Sequence, residues 1–298
     1  MNRVIDHVQG HLAEPLNLER LAAIACFSPF HFHRLFRAWT GETLQAFVHR
    51  LRLERAAQML VCDTVRSISD VALECGFSSS SAFARAFKAA FGTPASEWRK
   101  RKMCQTNRNP GKVAEPAAMG FSNLPGTVAR NKEIAMKVPF EVKVRHLPTR
   151  TIAYIRHIGP YKGDAALFRR LFTRLFAWAV SRGEMAPEPI YFSLMQDNPN
   201  LTPAAKQRLE VALVVLGGTV PSGEVGVRTL PGGLFATARV RVSLQEYAAQ
   251  WDALVGDWLP ESGYQPDHRP AMEIYLNNPD NDPEGKYDIE MCLPIRAF

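Results

Sequence analysis

The strongest constraint on this chain is that each half of it repeats internally. In the first half, the segment from Leu18 to Ser28 matches the segment from Ile68 to Ser78 at an offset of 50 residues. After one inserted residue the match resumes at an offset of 51, so that Phe32 and Phe36 correspond to Phe83 and Phe87. Repetition on this scale predicts two similar units that pack together rather than one irregular fold.

The second half repeats with a different pattern. Val144–Pro148 matches Val227–Pro231, and Glu210 matches Glu290. Each copy reads strand, helix, strand, strand, because apolar, β-branched and aromatic runs flank one helical segment. The helices are expected near 164–182 and 244–257, and the strands near 190–196, 209–216, 271–276 and 287–293.

Charge separates the two halves. Residues 1–112 hold 16 Lys+Arg against 9 Asp+Glu, whereas residues 113–298 hold 20 of each. All of the net charge of +7 therefore lies in the first part of the chain. A basic module beside a neutral one favours a polyanion-binding domain joined to a domain with another task.

Composition restricts the class of protein. No apolar run approaches the length that spans a bilayer, and the N-terminus lacks a secretory apolar region, so we expect a cytoplasmic protein without a membrane partner. The five cysteines fall at no metal-ligand spacing. The sequence therefore predicts no metal and no cofactor.

Segment composition gives the domain boundaries. Residues 103–138 are rich in Asn, Pro, Gly and Ala without a sustained period, which predicts a flexible linker. The pattern is helical throughout residues 1–102 and alternates between strands and helices over 139–298. We expect an N-terminal domain, a linker and a C-terminal domain with these limits.

The first repeat unit reads as two helices joined by a turn. Asn17 caps a short helix, and Ser28, followed by Pro29, caps a longer one. The apolar spacing of the longer helix predicts a buried stripe of Phe32, Leu35, Phe36 and Trp39. That stripe leaves the outer face to Phe30, His33, Arg34 and Arg37.

The second unit follows the same plan. Ser67 and Asp70 form a start resembling a capping box, and Gly76 supplies the turn. Ser78 is predicted to cap the second helix, whose buried stripe is Phe83, Phe87 and Phe91. Its outer face carries Ser80, Ser81, Arg85 and Lys88.

An exposed helix in this setting is suited to the major groove of DNA. The side chains of Arg34 and Arg85 can each donate two hydrogen bonds to the edge of guanine. Phe30 can pack against the methyl group of thymine. Ser80 and Ser81 are short, so we expect them to discriminate less between bases. The plain alternative is a helical module whose outer arginines are ordinary solvated charges. Two copies in register, each with Arg at the matching position, favour binding to double-stranded DNA.

The run from Val71 to Lys88, followed by Phe91-Gly92-Thr93-Pro94, resembles the signature of the AraC/XylS family. The resemblance covers about residues 1–102 and implies two recognition helices in successive major grooves. It places Phe30, His33 and Arg34 on base-reading positions of the first helix, and Ser80, Ser81 and Arg85 on those of the second. Cys26 stands where the first turn often has Gly, and a positive φ there would cost about 1 kcal/mol.

The second half resembles the GyrI-like effector domain of Rob/BmrR-type regulators over roughly 139–297. The matching motifs are His157-Ile158-Gly159-Pro160-Tyr161, Trp258 with Gly263-Tyr264, Glu273-Ile274-Tyr275-Leu276-Asn277-Asn278-Pro279 and Asp288-Ile289-Glu290-Met291-Cys292-Leu293-Pro294-Ile295. With both resemblances the expected fold class is α+β in two domains. An all-α double helix-turn-helix domain precedes an α+β domain of two pseudo-symmetric strand-helix-strand-strand repeats.

Glu290 is the central candidate of the predicted ligand groove. Strand alternation puts Asp288, Glu290 and Cys292 on one face, and a Glu among large apolar neighbours needs a partner. A structural hydrogen bond or a pair with Arg is one solution, and a groove for a cationic or aromatic effector is the other. The resemblance favours the groove, with ligand-binding residues Glu290, Glu273, Trp258, Tyr161 and Tyr275.

These features predict a transcription regulator without enzymatic activity, which binds promoter or operator DNA and a small effector and contacts RNA polymerase, as a monomer or a dimer. The main alternative is a hydrolase of electrophilic small molecules in which Glu290 activates water. A third alternative is a protein-binding module, since some isolated GyrI-like domains act on gyrase. The DNA-reading half argues against this as the main role.

Overall fold

Helices alone form the described part of the N-terminal unit. The computed structural model describes residues 1–62, 66–106, 139–186, 188–267 and 269–297, which divide into an N-terminal and a C-terminal unit. The helices of the N-terminal unit are α1 (Asn2–Gly10), α2 (Leu18–Ile24), α3 (Pro29–Thr40), α4 (Leu44–Cys62), α5 (Ile68–Glu74), α6 (Ser80–Phe91) and α7 (Ala95–Thr106). The all-α prediction for this half is confirmed.

Side-chain caps start the first helix of each helix-turn-helix unit. The Asn17 side chain accepts from the N–H of Arg20 at 2.9 Å, and Ser67 Oγ accepts from the N–H of Asp70 at 3.0 Å. Ser28 caps α3 in the same way. These capping predictions are confirmed, because short polar side chains satisfy helix N–H groups that have no helical partner.

The second recognition helix starts one residue later than the sequence predicts. Ser79, not Ser78, caps α6 and accepts from the N–H of Ala82 at 3.2 Å. Ser28 and Ser79 are related by the offset of 51, so the inserted residue lies in the turn before the helix and not within it.

The buried stripe of α3 is narrower than predicted. Phe32 and Phe36 are completely buried, but Leu35 is 44% exposed and Trp39 is 37% exposed, so their prediction as core residues is wrong. Thr40 is buried instead, and its hydroxyl donates to the carbonyl of Phe36 at 2.8 Å. Periodicity alone does not show that a helix contacts its neighbours over only part of its apolar arc.

The two turns differ in strain. Cys26 adopts φ +59°, a left-handed conformation, and the matching position in the second unit is Gly76 at φ +83°. A Cβ at Gly76 would lie 2.4 Å from the carbonyl oxygen of Leu12, so this turn also requires glycine for space. Only the first turn therefore stores the cost of a side chain at positive φ.

Helix α7 runs to Thr106 and so covers the first four residues of the segment predicted as a linker. Residues 107–138, the rest of that segment, lie outside the described residues. Over the described residues, no helix combines the length and apolar character needed to cross a membrane, and no cluster of His, Cys, Asp and Glu suits a metal ion.

The C-terminal unit consists of strands and helices in two copies of one order. The strands are β1 (Val142–Leu147), β2 (Arg150–Ile158), β3 (Tyr191–Met195), β4 (Arg208–Val214), β5 (Gly226–Leu230), β6 (Gly233–Val242), β7 (Tyr264–Pro266), β8 (Ala271–Tyr275) and β9 (Tyr287–Ala297). Helix α8 is Ala165–Arg182, and the second helical stretch comprises α9 (Tyr247–Asp252), a π-helical turn (Ala253–Trp258) and α10 (Leu259–Glu261). Each copy places two strands before its helix, because the turns after Leu147 and Leu230 divide what the sequence predicts as one strand.

The strand order is symmetric about its centre. It reads β1-β6-β9-β8-β3-β4-β2-β5, with β7 beside β9, and all the pairs are antiparallel. The central pair joins the two copies through Ser193 and Glu273, which are direct partners. Two residues link β1 to β2, although these strands are far apart in the order, so the sheet must curl strongly to bring their ends together.

Curling gives the sheet two distinct faces. Residues including Ala153, Leu209 and Val211 pack against Leu171 and Leu175 of α8 on what we call the helix face. Alternate residues form a second core on what we call the concave face: Ile152, Tyr154, Phe192, Ala212, Phe235, Met272 and Cys292. The period of two along each strand thus assigns every polar side chain to one face or the other.

Candidate functional site

The outer face of α3 presents the predicted readers to solvent. Phe30, His33, Arg34 and Arg37 are all exposed, and Phe30 is 68% exposed. The Arg34 guanidinium carbon lies 5.8 Å from the centre of the Phe30 ring. This cation–π contact holds Arg34 beside an exposed aromatic ring at the N-terminal part of the helix, the part that reaches base edges in helix-turn-helix proteins.

Helix α6 presents a smaller and more polar surface. Ser80, Ser81, Arg85 and Lys88 are exposed as predicted. The Ser80 hydroxyl donates to Ser69 Oγ at 3.0 Å, so it is already bonded within the unit. Arg85 and Lys88 are the two long basic side chains that this face presents to solvent.

The basic stretch at 99–102 has a structural component. Arg99 Nη1 donates to the carbonyl of Arg66 at 2.8 Å, which ties α7 to the start of the second unit. Arg99 therefore has a structural role in the packing of α7 against the second unit. Lys100 is exposed in the same helix.

In the C-terminal unit, a buried carboxylate marks the centre of the helix face. Glu273 is 6% exposed and sits on β8 directly opposite Ser193 of β3. Its register with Met291, and that of Ser193 with Val211, places both on the helix face rather than the concave face. This position lies on the axis that relates the two copies.

Four donors point at the Glu273 carboxylate. The Trp251 indole N–H donates to Oε1 at 2.7 Å, while Ser193 Oγ donates to Oε2 at 3.1 Å. The hydroxyls of Tyr275 and Tyr247 reach Oε2 at 3.3 and 3.4 Å. All four are neutral, so they solvate the carboxylate without neutralising its charge.

No Lys, Arg or His side chain within the described part of the chain forms an ion pair with Glu273. Burial raises the pKa of this carboxyl, against the lowering effect of its four hydrogen bonds. A buried carboxylate without a counter-charge either holds its proton or gains from an external cation. Such a group is chemically suited to receive a positively charged ligand.

Aromatic side chains surround this carboxylate from both helices. Phe172 of α8 contacts the Tyr275 ring edge to face at 5.3 Å, and Tyr247 of α9 contacts Tyr287 at 5.8 Å. On the α8 side, Tyr161 lies 6.5 Å from Phe168. The pKa of Tyr161 is raised by burial and by the charges of Asp197 and Glu273, so both carboxylates are within electrostatic reach. Aromatic walls around an acidic centre favour cationic aromatic ligands.

The structure separates Glu290 from this group. Its register with Ile274 and Arg239 puts Glu290 on the concave face, together with Glu210. Glu290 forms an ion pair with Arg145, which is the structural solution that the strand pattern allowed. The predicted alternation of Glu290 and Cys292 against their apolar neighbours is confirmed.

Not all of the remaining predicted ligand-binding residues contact Glu273. Tyr275 donates directly to Glu273, and Tyr161 is coupled to it through charge. Trp258 is buried at the end of the π-helical turn, and the tryptophan that bonds Glu273 is Trp251. Sequence reasoning missed Trp251, Tyr247 and Ser193. Tyr247 and Trp251 are spaced i, i+4 at the start of the second helix, which is a signal that could have identified them.

Comparison with known proteins identifies both units. Residues 140–296 match the family of GyrI-like small-molecule-binding domains, and residues 21–101 match a helix-turn-helix domain family. The C-terminal unit is similar to the DNA gyrase inhibitor of Edwardsiella piscicida, with 36% identity over 160 residues, covering 52% of this chain and 98% of that protein. It is also similar to the DNA gyrase inhibitor of Escherichia coli K12, with 30% identity over 157 residues, covering 52% and 96%.

A solved AraC-type transcriptional regulator from Chromobacterium violaceum aligns with 34% of this chain and 88% of its own length, with 29% identity and a TM-score of 0.32. The matches to the two families cover most of the helical unit and nearly all of the strand-rich unit. The chain therefore belongs to the GyrI-like family, and it joins a GyrI-like small-molecule-binding domain to a helix-turn-helix domain.

Proposed function

We propose that this protein is a one-component transcription regulator in which a cationic aromatic effector binds over Glu273 and alters DNA binding or contact with RNA polymerase. The observation that carries the effector assignment is the buried carboxylate with four neutral donors and no cationic partner in the described chain. We place the protein in the cytoplasm, where DNA and polymerase are found.

The DNA contact uses the exposed faces of α3 and α6. Arg34 and Arg85 occupy matching positions in the two copies and read bases, with Phe30, His33, Ser80 and Ser81 beside them. Arg37 and Lys88 lie one turn further along each helix and contact phosphates or flanking bases. Two readers in one chain allow binding as a monomer, and a dimer remains compatible with the same contacts.

One experiment tests both parts. The full-length chain selects DNA from a random pool, with and without benzyltrimethylammonium, and the selected sites are footprinted for the wild type, Arg34→Ala and Arg85→Ala. Each replacement should weaken specific binding by about 1–3 kcal/mol and relax base preference in its own half-site. The two contacted segments should lie about 34 Å apart. Unchanged affinity and unchanged base preference in both variants would exclude these arginines as readers.

A hydrolase is the second candidate, and the raised pKa of Glu273 favours it because a higher pKa makes a carboxylate a stronger general base. In this case Glu273, rather than Glu290, would activate water. A reactive electrophile such as styrene oxide would then be consumed, and Glu273→Gln would abolish turnover while binding survived. A regulator binds its effector and returns it unchanged, so a product assay separates the two.

The similarity to proteins named DNA gyrase inhibitors suggests a further experiment on gyrase. A supercoiling assay with gyrase and the full-length chain tests whether the GyrI-like domain acts on that enzyme. The DNA-binding domain favours regulation as the main role, so we expect no inhibition at concentrations that saturate specific DNA.

A further inference from the structure

The first recognition helix carries an exposed aromatic ring that its copy in the second unit lacks. Phe30 lies in the first turn of α3 and is 68% exposed. By the offset of 51 its counterpart in α6 is Ser81, whereas Arg34 and Arg85 correspond to each other. The two helices therefore share the arginine and differ in the side chain that precedes it by one turn.

Phe30 contacts two neighbours although most of its surface is exposed. The Arg34 guanidinium carbon lies 5.8 Å from the centre of the Phe30 ring, and the His31 ring meets the same ring edge to face, with 5.7 Å between the ring centres. Contacts of both kinds are attractive, so they restrict the orientation of the ring without burying it. The uncovered apolar surface of Phe30 is stabilised when another apolar group covers it.

The distance between the ring and the guanidinium suits two neighbouring base pairs. Successive bases of one DNA strand are about 3.4 Å apart, so two steps would span about 6.8 Å. The 5.8 Å between Phe30 and Arg34 is shorter than this. When Arg34 donates to the O6 and N7 atoms of a guanine, Phe30 therefore lies over an adjacent base pair. On the major-groove edges of the four bases, the apolar group is the C5 methyl of thymine.

We infer that Phe30 and Arg34 act together as one reader of a C5-methylated pyrimidine next to a guanine, in which Phe30 detects the methyl group itself. The inference rests on the proposed function, because it requires α3 to contact DNA through Arg34. Thymine and 5-methylcytosine carry the same methyl group at the same ring atom, and unmethylated cytosine lacks it. Binding to the first half-site is therefore sensitive to cytosine methylation, whereas the half-site under α6, where Ser81 replaces the ring, is not.

Base analogues that differ by one methyl group test this reader. The DNA is the site selected by the full-length chain, and the probe positions are the two base pairs that flank the guanine whose preference is lost in Arg34→Ala. Thymine is compared with deoxyuridine, and 5-methylcytosine with cytosine, by fluorescence anisotropy. At one of the two positions each methyl group should raise wild-type affinity about fourfold, which corresponds to the burial of one such group. A gain for thymine alone would overturn the methyl group as the recognised feature.

Three variants locate the methyl sensor. Phe30→Ala should abolish both methyl gains and keep the guanine preference that depends on Arg34. Trp39→Ala is the matched control, because Trp39 is an exposed aromatic residue of the same helix outside the predicted reading face, and it should keep both gains. Ser81→Phe places a ring one turn before Arg85, so it should create a methyl gain in the second half-site, where the wild type has none.

The outcomes separate this inference from the proposed function. Equal methyl gains in the wild type and Phe30→Ala, or no methyl gain in the wild type, would overturn the methyl reader and leave Arg34 as a reader of guanine. An unchanged base preference in Arg34→Ala would overturn the proposed contact of α3 with bases and the methyl reader together, and that result is distinct from the first.

Discussion

Glu210 and Glu273 are two buried glutamates in the same curled sheet, but they meet opposite electrostatic surroundings. Glu210 lies on the concave face, where Arg156 Nε donates at 2.9 Å, Arg228 Nη2 at 2.7 Å and Gln196 Nε2 at 2.9 Å. Glu273, on the helix face, meets only neutral donors among the described residues. The pKa of Glu210 is lowered by Arg156 and Arg228 despite its burial, whereas burial raises the pKa of Glu273.

The two glutamates therefore differ in role: Glu210 completes the fold, whereas Glu273 is the acid that we propose binds the effector. A buried charge paired with two arginines cannot be removed without leaving another charge buried and unpaired. A buried carboxyl solvated by hydroxyl and indole groups can be replaced more easily, because hydroxyls accept as well as donate. Each of the following predictions tests one side of this contrast.

The largest effect is expected at Glu210. Glu210→Gln should lower the free energy of unfolding by about 3–5 kcal/mol, because Arg156 is completely buried and loses its counter-charge. Urea denaturation of the full-length protein, followed by far-UV circular dichroism, measures this. A loss below about 1 kcal/mol would contradict the structural role of the pair.

Glu273→Gln should have its main effect on binding. The free energy of unfolding should change by about 1 kcal/mol or less, whereas affinity for benzyltrimethylammonium should fall about 30-fold or more, because the carboxylate no longer balances the bound charge. Urea denaturation measures the free energy of unfolding, and titration calorimetry measures the affinity. Glu290→Gln is the matched control: it changes the same residue type on the concave face, and it should leave this affinity within twofold. An equal loss in both variants would return the cation site to Glu290.

The pH dependence of stability should have opposite signs for the two acids. The raised pKa of Glu273 means that the folded protein keeps its proton above pH 4.5, the ordinary Glu value, so its contribution to stability declines as pH rises from there. The lowered pKa of Glu210 gives stability that is present above pH 4.5 and lost as pH falls below it. Each slope is limited to about 1.4 kcal/mol per pH unit.

Urea denaturation from about pH 2.5 to 8 measures the free energy of unfolding of the wild type and of the two Gln variants, and the difference between wild type and variant gives the slope that each acid contributes. The free energy of unfolding of the wild type relative to Glu273→Gln should fall as pH rises. The free energy of unfolding of the wild type relative to Glu210→Gln should rise as pH increases through the acid range. If both differences changed with pH in the same direction, the two carboxyl groups would have the same electrostatic surroundings, which would contradict the contrast between them.

The smallest effect is expected for Trp251→Phe, which keeps an aromatic ring and removes one donor from Glu273. Cation affinity should fall about threefold to tenfold, since one charge-assisted hydrogen bond is lost while the aromatic wall remains. Calorimetry measures the affinity, because the replacement of Trp251 also changes the fluorescence of the protein. Trp258→Phe, at a buried tryptophan outside the hydrogen-bond set of Glu273, serves as its control.

Sequence reasoning was most successful where local chemistry decides the structure. The caps at Asn17, Ser28 and Ser67 follow from unsatisfied helix N–H groups. The prediction for Ser78 was wrong because an inserted residue can be placed in a turn or at a helix start without changing the apolar pattern.

It was least successful where the answer depends on which strands are neighbours. Alternation showed that Glu290 and its apolar neighbours face opposite ways, but it did not show that Arg145 from a distant strand lies beside Glu290. The same limit applies to Glu273, whose four donors come from β3, β8 and α9. Strand order is a property of the whole sheet, so it cannot be predicted from a short segment of the sequence.

The pairing of Ser193 with Glu273 across the central axis has an evolutionary consequence. Two separate chains, each supplying one half of this domain, would have to place the same residue on both sides of their symmetry axis. Two glutamates there would repel each other, and two serines would carry no charge for a cation. Joining the halves in one polypeptide frees the two positions to diverge, so that one strand holds the acid and its mate the donor. The asymmetric acidic centre is thus a feature that a dimer of two identical half-domain chains could not form.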